Sequence, residues 1–220
     1  MKGRGATVLE LVVSVAIFAI ALGGIFFLFR QGYQSFHHLE KRQGLQVEML
    51  KVKSFLKGDF QLSHFRSIGV SKKEGTYRKE GVYGTETVNV QRDNLSCLIL
   101  DDWRKKSNYH SITLAPMWNQ YAAYVTEANR PTITRIVYQS GARFPVEPLP
   151  GLDVYGVVQN QLLTENLLNF NGVLNFDTRD LEIEIELGRT LGGRGVDEKR
   201  TFEVYEGVFR FTPLNTQPKL

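Results

Sequence analysis

An apolar run near the start of the chain constrains the fold more than any other feature. Residues 11–29 contain no charged residue and no proline. A helix rises about 1.5 Å per residue, so a run of about 20 residues matches the hydrocarbon core of a bilayer. We therefore predict a membrane-spanning helix in this part of the chain.

Charged residues flank this run on its amino-terminal side. Lys2 and Arg4 are basic, and positive charge before a first apolar segment keeps that end in the cytoplasm. Glu10 lies just inside the apolar stretch, where a carboxylate costs roughly 2.5 kcal/mol or more if it sits deep in the membrane. Glu10 is therefore the first candidate functional residue.

The order of residues at this end is specific. A basic leader ending in Gly5 is followed by a small residue, Thr7, a hydrophobic pair, Glu10 and the apolar run. This order resembles the amino terminus of type IV prepilins and type II secretion pseudopilins over about the first 30 residues. The resemblance implies that prepilin peptidase cuts between Gly5 and Ala6 and that Ala6 is then N-methylated.

The resemblance also implies a role for Glu10 in filament assembly. In a filament of staggered helices, this carboxylate meets the free amine of a neighbouring subunit. Such a pair adds little net stability because desolvation offsets the attraction, but it fixes register. The alternative is that Glu10 lies at the membrane interface and reaches water.

Two positions depart from the family pattern. The family usually has Phe after the cleaved glycine, where this chain has Ala6, and many members have a proline near the far end of the run, where this chain has none. Gly23 and Gly24 either weaken the helix there, by roughly 1 kcal/mol each, or let neighbouring helices approach closely.

Other interpretations of the amino-terminal sequence explain fewer of its features. A secretory signal peptide has a shorter apolar core and a small-residue cleavage site, whereas here the run continues past Ala19 and Ala21. A plain signal anchor explains the length and charge but not Gly5 and Glu10. A soluble core helix is rarely apolar on every face over this length.

The helix is predicted to continue to about residue 62, since 31–62 contains no proline. One apolar stripe, predicted to pack on a sheet, comprises Leu45, Met49, Val52, Leu56 and Phe60. A second stripe, predicted to meet neighbouring helices, comprises Tyr33, Phe36, Leu39, Val47 and Leu50. The alternative is one broad core face with a few exposed apolar residues.

A short pattern late in this helix resembles minor pseudopilins of the J type and their pilus counterparts of the W type. It consists of Leu56, Asp59, an apolar residue and Gln61. The resemblance implies a minor subunit in a heteromeric complex at or near a filament tip.

Beyond residue 65 the sequence changes to short β segments separated by turn residues. Strands are predicted at 77–83, 86–90, 95–100, 111–114, 121–125, 132–138, 181–187 and 201–211. The proline-rich segment 141–151 is predicted to be an exposed loop, and 159–169 a short helix or a strand. The clearest strand is 181–187, where leucine and isoleucine alternate with glutamate, so one face is predicted to be buried and the other wet. Its predicted partner is 201–211, in which Gly207 suggests a bulge, because apolar residues change parity on either side of it.

These patterns predict an α+β chain in which a long amino-terminal helix packs on a carboxyl-terminal antiparallel β domain, a pilin-like arrangement. The first half of the helix is transmembrane and the second half amphipathic. The predicted segments are a cytoplasmic leader at 1–5, a membrane and filament-core helix at 6–29, an amphipathic continuation at 30–64 and a periplasmic β-rich head at 65–220.

Catalytic motifs are not found in the sequence. The four histidines have no zinc spacing, no phosphate-binding loop or nucleophile elbow occurs, and the single cysteine, Cys97, reads as a buried core residue. Two acidic pairs, Asp101 with Asp102 and Asp177 with Asp180, do not match the EF-hand calcium spacing and read as solvated turns. We expect no enzymatic activity, cofactor or metal.

The expected partners are other pilin or pseudopilin subunits, prepilin peptidase and an inner-membrane assembly platform. The expected location is the bacterial inner membrane, with a single pass and a periplasmic head, and then a filament. A secretion pseudopilus, a retractile pilus and a DNA-uptake filament share this amino terminus. Contact with DNA through basic segments at 72–73, 78–79 and 104–106 is the less favoured reading, as is a membrane-tethered binding module that never polymerises.

Overall fold

The computed structural model describes residues 7–81, 84–139, 156–191 and 201–214. It begins with one long helix, α1 (Val8–Leu62), and continues with strands. The strands are β1 (Gly69–Ser71), β2 (Glu74–Gly81), β3 (Gly84–Gln91), β4 (Asn94–Ile99), β5 (Gln120–Thr126), β6 (Ile133–Gln139), β7 (Val157–Thr164), β8 (Leu167–Asn175), β9 (Asp180–Leu191) and β10 (Thr201–Phe211). A long helix followed by an antiparallel β domain confirms the predicted α+β class.

The chain divides into two compact units, Met1–Gln43 and Gly44–Leu220. Where it is described, the first unit is the amino-terminal part of α1. The second unit contains the rest of α1 and all of the described strands. The sequence-based segments at 6–29, 30–64 and 65–220 stay predictions.

The amphipathic half of α1 buries one stripe. The five residues of the predicted sheet-facing stripe are each no more than 2% exposed: Leu45, Met49, Val52, Leu56 and Phe60. The members of the second stripe are exposed: Tyr33, Phe36, Leu39, Val47 and Leu50. The first assignment is therefore confirmed, and contact of the second stripe with neighbouring helices stays a prediction.

The strands form three sheets whose neighbouring strands are all antiparallel. The five-stranded sheet has the order β1-β4-β5-β6-β7, the three-stranded sheet the order β10-β9-β8, and β2 pairs with β3. A parallel bridge between Arg92 and Phe170 links the end of β3 to β8. The core of the second unit lies between α1 and the inner faces of the two larger sheets.

Buried polar side chains fasten these layers together. The guanidinium of Arg92, 1% exposed, donates hydrogen bonds to five backbone carbonyl oxygens. These belong to Glu127, Ala128, Arg130, Leu167 and Leu168. On α1, Glu48 accepts hydrogen bonds from Thr164 Oγ1 and Asn166 Nδ2 and so holds the turn between β7 and β8.

Two of the predicted β segments need correction. The strand predicted at 111–114 is wrong, because these residues form a turn in which the Leu114 N–H bonds to His110 O at 2.9 Å. The short helix or strand predicted at 159–169 is two strands, since β7 ends at Thr164 in one sheet and β8 begins at Leu167 in another. The predicted loop at 141–151 lies outside the described residues.

The clearest predicted hairpin is confirmed, but its bulge is not. Leu181, Ile183, Ile185 and Leu187 are all fully buried, and β9 pairs with β10 along its length. The bulge predicted at Gly207 is wrong, because Gly207 lies opposite Ile185 in an unbroken register.

Gly207 instead lies on the inner face of β10, where neighbouring side chains leave no room for a side chain at this position. A Cβ atom at this position would lie 2.8 Å from the Phe209 ring and 3.4 Å from Met49 Sδ. Tyr205, Phe209 and Phe211 of β10 pack on the core, so β10 keeps one inward parity throughout. The apolar residues that share the other parity, such as Val204 and Val208, are on the outer face.

Candidate functional site

The described chain starts with a reciprocal cap on α1. The Thr7 N–H donates to Glu10 Oε2 at 2.9 Å, and the Glu10 N–H approaches Thr7 Oγ1 at 3.3 Å. This is a capping box, which satisfies two of the backbone N–H groups that a helix start leaves without intrahelical partners. Ser14 Oγ also donates to the Glu10 carbonyl at 2.8 Å.

Sequence reasoning assigned Glu10 but missed this contact with Thr7. The signal was present, since a threonine followed three residues later by glutamate ahead of an apolar run is the sequence form of a capping box. The carboxylate therefore has a local use in the isolated chain, at Thr7, the residue that follows the predicted amino terminus at Ala6. Gly5 and Ala6 themselves lie outside the described residues.

Beyond the cap, α1 presents apolar side chains on every side. The large exposed residues of this segment are Val8, Leu9, Leu11, Val12, Val13, Val15, Ile17, Phe18, Ile20, Leu22, Ile25, Phe26, Phe27, Leu28 and Phe29. Its length and composition allow it to cross a membrane, and none of its most apolar stretch is buried within the chain. A soluble core helix would bury one face, whereas exposed apolar surface of this extent is typical of helices that contact lipid or other helices.

The paired glycines do not interrupt this helix. α1 continues through Gly23 and Gly24, and a Cβ atom at either position would meet nothing within 4 Å. Another helix can therefore approach the backbone closely at this point.

One member of each acidic pair considered for calcium accepts hydrogen bonds from side chains of the fold. Asp101 accepts hydrogen bonds from Lys105, Asn108 and Asn119, and the Lys105 ammonium is the main reason that the pKa of Asp101 is lowered. Asp180 Oδ1 accepts from Thr212 Oγ1 at 2.6 Å. Across the part of the chain that the structure describes, no group of three acidic, histidine or cysteine residues is placed to hold a metal ion.

Two of the basic residues proposed for a DNA-binding surface have structural contacts instead. Lys72 Nζ lies 2.8 Å from Asp93 Oδ2 and also bonds to Asn171 and Gly172. Lys73 Nζ donates to the Thr126 carbonyl at 2.7 Å. These lysines tie β1 to the neighbouring sheets, which weakens the case for a phosphate-binding patch there.

Cys97 is fully buried on β4, as predicted for a core residue. Burial, followed by the nearby charge of Asp59, raises the pKa of the Cys97 thiol well above its usual range. The thiol is therefore unreactive while the β domain remains folded.

Comparison with protein-family models, with curated proteins and with solved structures found no match to this chain. A functional proposal therefore depends on the order of residues at the amino terminus and on the geometry of the folded units.

Proposed function

We propose that this chain is a minor pilin or pseudopilin, a subunit of a type IV pilus-like or type II secretion filament. The observation that carries the proposal is the first part of α1, which is apolar on every side and has one carboxylate, Glu10, in its first turn. The order of leader, Gly5, Thr7 and Glu10 in the sequence supports the same assignment.

An exposed apolar helix of this length needs a new environment. Inserted in the inner membrane, its side chains are solvated by lipid, and in a filament they are covered by the corresponding helices of neighbouring subunits. The second apolar stripe, which includes Phe36 and Leu39, extends this surface along α1. When a subunit moves from the membrane into the filament, its apolar helix exchanges contacts with lipid for contacts with other helices. Because the helix stays in an apolar environment, the packing of helices against each other can drive this transfer.

Glu10 is the group that specifies the register. After cleavage at Gly5, the free amine of Ala6 in a neighbouring subunit is the expected counter-ion for the carboxylate. Within its own chain, Glu10 already holds the Thr7 N–H at 2.9 Å. We propose that assembly adds the neighbour's amine to this local contact, because a carboxylate buried among helices otherwise lacks a positive partner.

The chain acts mechanically in this proposal. Its partners are other filament subunits, the prepilin peptidase that removes residues 1–5 and the inner-membrane assembly platform. The β domain lies in the periplasm, where it contacts partner subunits, and the late-helix pattern around Asp59 favours a minor subunit in a heteromeric tip complex.

Processing tests the proposal. The full chain is produced in membranes with and without a prepilin peptidase, and the intact mass of the purified protein is measured. We expect the mass of a chain that begins at Ala6, with or without one methyl group, only when the peptidase is present. Gly5→Val should remain uncut, and Gly3→Val serves as the matched control because it changes a leader glycine away from the cleavage point. An uncut wild-type chain in the presence of active peptidase would instead favour a membrane-tethered module.

A further inference from the structure

The edge of the three-stranded sheet that β10 forms is open. β10 pairs with β9 along 201–211 without a register break, and no strand of the described chain pairs with its other side. Such an edge presents a row of backbone N–H and C=O groups, which is a template for an added strand. β10 contains neither a proline nor a bulge, two of the devices that commonly protect an edge.

The other edges of the two larger sheets are short or covered. β1 has only 3 residues. At β7, Lys51 Nζ donates to Leu162 O at 3.0 Å, and the register with β6 shifts at two points. At β8, Arg92 forms a bridge with Phe170, and the Asp93 N–H donates to Phe170 O at 2.8 Å. β10 differs from these three strands because its edge is both long and regular.

A groove of about 500 Å³ runs between this edge and α1, within the second unit. One wall consists of Lys53, Lys57 and Gln61 of α1, and the other includes residues 208–212. The Leu214 N–H donates to Gln61 O at 2.9 Å, so the chain that follows β10 bounds the groove at the end of α1. A strand added to β10 would therefore have one face along this flank of α1.

The flank of α1 that borders the groove is positively charged. Lys53 Nζ lies 5.0 Å from the centre of the Phe209 ring, which places its ammonium over β10. Lys57 is exposed one turn further along, and no described carboxylate forms an ion pair with either lysine. The carboxylates of this part of α1, Glu48 and Asp59, bond instead to residues of β5, β6 and β7 and of the turn after β7.

Charged residues of β9 and β10 do not neutralise the two lysines. Glu203 has the inward parity of Phe209, but it lies opposite Arg189 and six residues before Phe209, about 20 Å away along a strand. The outer parity carries the other charged residues of these strands: Asp180, Glu182, Glu184, Glu186, Glu206 and Arg210. Since Arg210 Nη2 bonds to Glu182 Oε2 at 3.0 Å, the outer face is negative overall, whereas the groove is positive.

We infer that the edge of β10 binds an extended strand of a different subunit, whose acidic side chains face Lys53 and Lys57. Its alternate side chains are apolar and lie beside Val204 and Val208, which are 45% and 62% exposed on the outer face. Main-chain hydrogen bonds to β10 supply the attachment, and the alternation supplies the specificity, because acidic side chains on the outer face would meet like charge. The contact rests on the proposed function, in which the partner is another subunit of a heteromeric complex.

Peptide binding to the full chain in mild detergent tests the site directly. The probe is a short fluorescent peptide in which valine and glutamate alternate, and the control peptide has lysine in place of glutamate. We expect the glutamate peptide to bind several-fold more tightly, as measured by fluorescence anisotropy. A glutamate peptide that is N-methylated at every backbone nitrogen keeps its charge but cannot donate backbone hydrogen bonds, so it should bind several-fold more weakly.

Charge reversal in the groove should reverse this preference. Lys53→Glu with Lys57→Glu should bind the lysine peptide more tightly than the glutamate peptide. Arg104→Glu with Lys106→Glu is the matched control, because it makes the same change in charge at two exposed positions between β4 and β5. Equal binding of the two peptides to the wild-type chain, or undiminished binding of the N-methylated peptide, would overturn the inferred site.

Photocross-linking identifies the occupant in the bacterium that makes this chain. The photoreactive residue p-benzoylphenylalanine replaces Val208, or replaces Val158 as the matched control at the edge strand β7. We expect position 208 alone to capture a different filament subunit, at an acidic β segment identified by mass spectrometry. Lys53→Glu with Lys57→Glu should lower the yield several-fold. Capture of a second copy of this chain, or of residues 215–220 of the same chain, would overturn the inferred occupant.

The outcomes separate the two proposals. Equal binding of the two peptides, or equal capture from positions 208 and 158, in chains that are processed and recovered in filaments overturns the strand contact and leaves the filament proposal standing. If the wild-type leader remains uncut in the presence of active peptidase, the filament proposal fails, and the assignment of the partner as a filament subunit fails with it.

Discussion

The guanidinium of Arg135 binds both carboxylate oxygens of Asp59. Nε lies 2.6 Å from Oδ2 and Nη2 lies 2.9 Å from Oδ1, while Tyr124 Oη donates to the same Oδ2 at 2.6 Å. The side chains of Asp59 and Arg135 are almost fully buried. This cluster fastens the end of α1 to β5 and β6, because the Asp59 carboxylate is held by Tyr124 and Arg135 of these two strands. Arg135 Nη1 also donates to Gln159 Oε1 of β7 at 3.0 Å.

Removing Asp59 should destabilise the β domain strongly. Asp59→Ala leaves Arg135 as a buried cation without its carboxylate, and breaking such a pair typically costs about 3–5 kcal/mol. Unfolding can be followed in the full-length chain in mild detergent, as labelling of the buried Cys97 thiol at increasing urea concentrations. Lys57→Ala is the matched control, since it removes an exposed charge from the same turn of α1. A loss of stability no greater than that of the control would show that the ion pair does not fasten the helix.

Gly207 should not accept a side chain. Gly207→Ala places a Cβ atom 2.8 Å from the Phe209 ring, and overpacking of this kind typically costs about 1–3 kcal/mol. The same thiol-labelling assay measures the change in the free energy of unfolding. Gly58→Ala on α1, where a Cβ atom meets nothing within 4 Å, should instead stabilise the fold by up to about 1 kcal/mol. Equal effects of the two substitutions would contradict the packing described for β10.

The ionised carboxylate of Glu186 should lower the free energy of unfolding at neutral pH. Its pKa is raised in the folded state by burial and by the charges of Glu206 and Glu184, so the folded chain binds this proton more tightly than the unfolded chain. The destabilisation is therefore absent below the unfolded pKa of about 4.3 and grows as the pH rises through the folded pKa.

Glu186→Gln should accordingly stabilise the fold at pH 7, by a few tenths to about 1 kcal/mol, the range for pairs across a sheet. The advantage should disappear near pH 4, as measured by urea unfolding at the two pH values. Glu182→Gln is the contrasting control, because Glu182 Oε2 accepts from Arg210 Nη2 at 3.0 Å and its removal should not stabilise the fold. A gain for Glu186→Gln that is independent of pH would exclude repulsion as its cause.

The spacing of apolar residues predicted the elements of the fold that have one buried face and one solvent-exposed face. The stripe from Leu45 to Phe60 and the alternation from Leu181 to Leu187 are both read directly from residue spacing, and both are buried as predicted. The pairing of β9 with β10 follows from their adjacent positions and matching lengths.

Two of the misses came from contacts between residues that are distant in the sequence. Gly207 looked like a bulge because its partners, Phe209 and Met49, are known only once β10 is packed on α1. The pairing of Asp59 with Arg135 joins residues 76 positions apart, and no local pattern encodes it. In contrast, the contact of Thr7 with Glu10 is local, and the sequence contained its complete signal.

Recovery of Glu10→Ala in filaments is the most direct test of the central claim. The full chain is co-expressed with prepilin peptidase and the assembly platform, and the fraction recovered in sheared, sedimented filaments is measured for wild type, Glu10→Ala and Thr7→Ala. Thr7→Ala removes the hydroxyl that caps the Glu10 N–H but retains the carboxylate, so it separates helix capping from pairing between subunits. We predict that Glu10→Ala is processed and folded but absent from filaments, while Thr7→Ala still enters them. Normal recovery of processed Glu10→Ala in filaments would contradict the account.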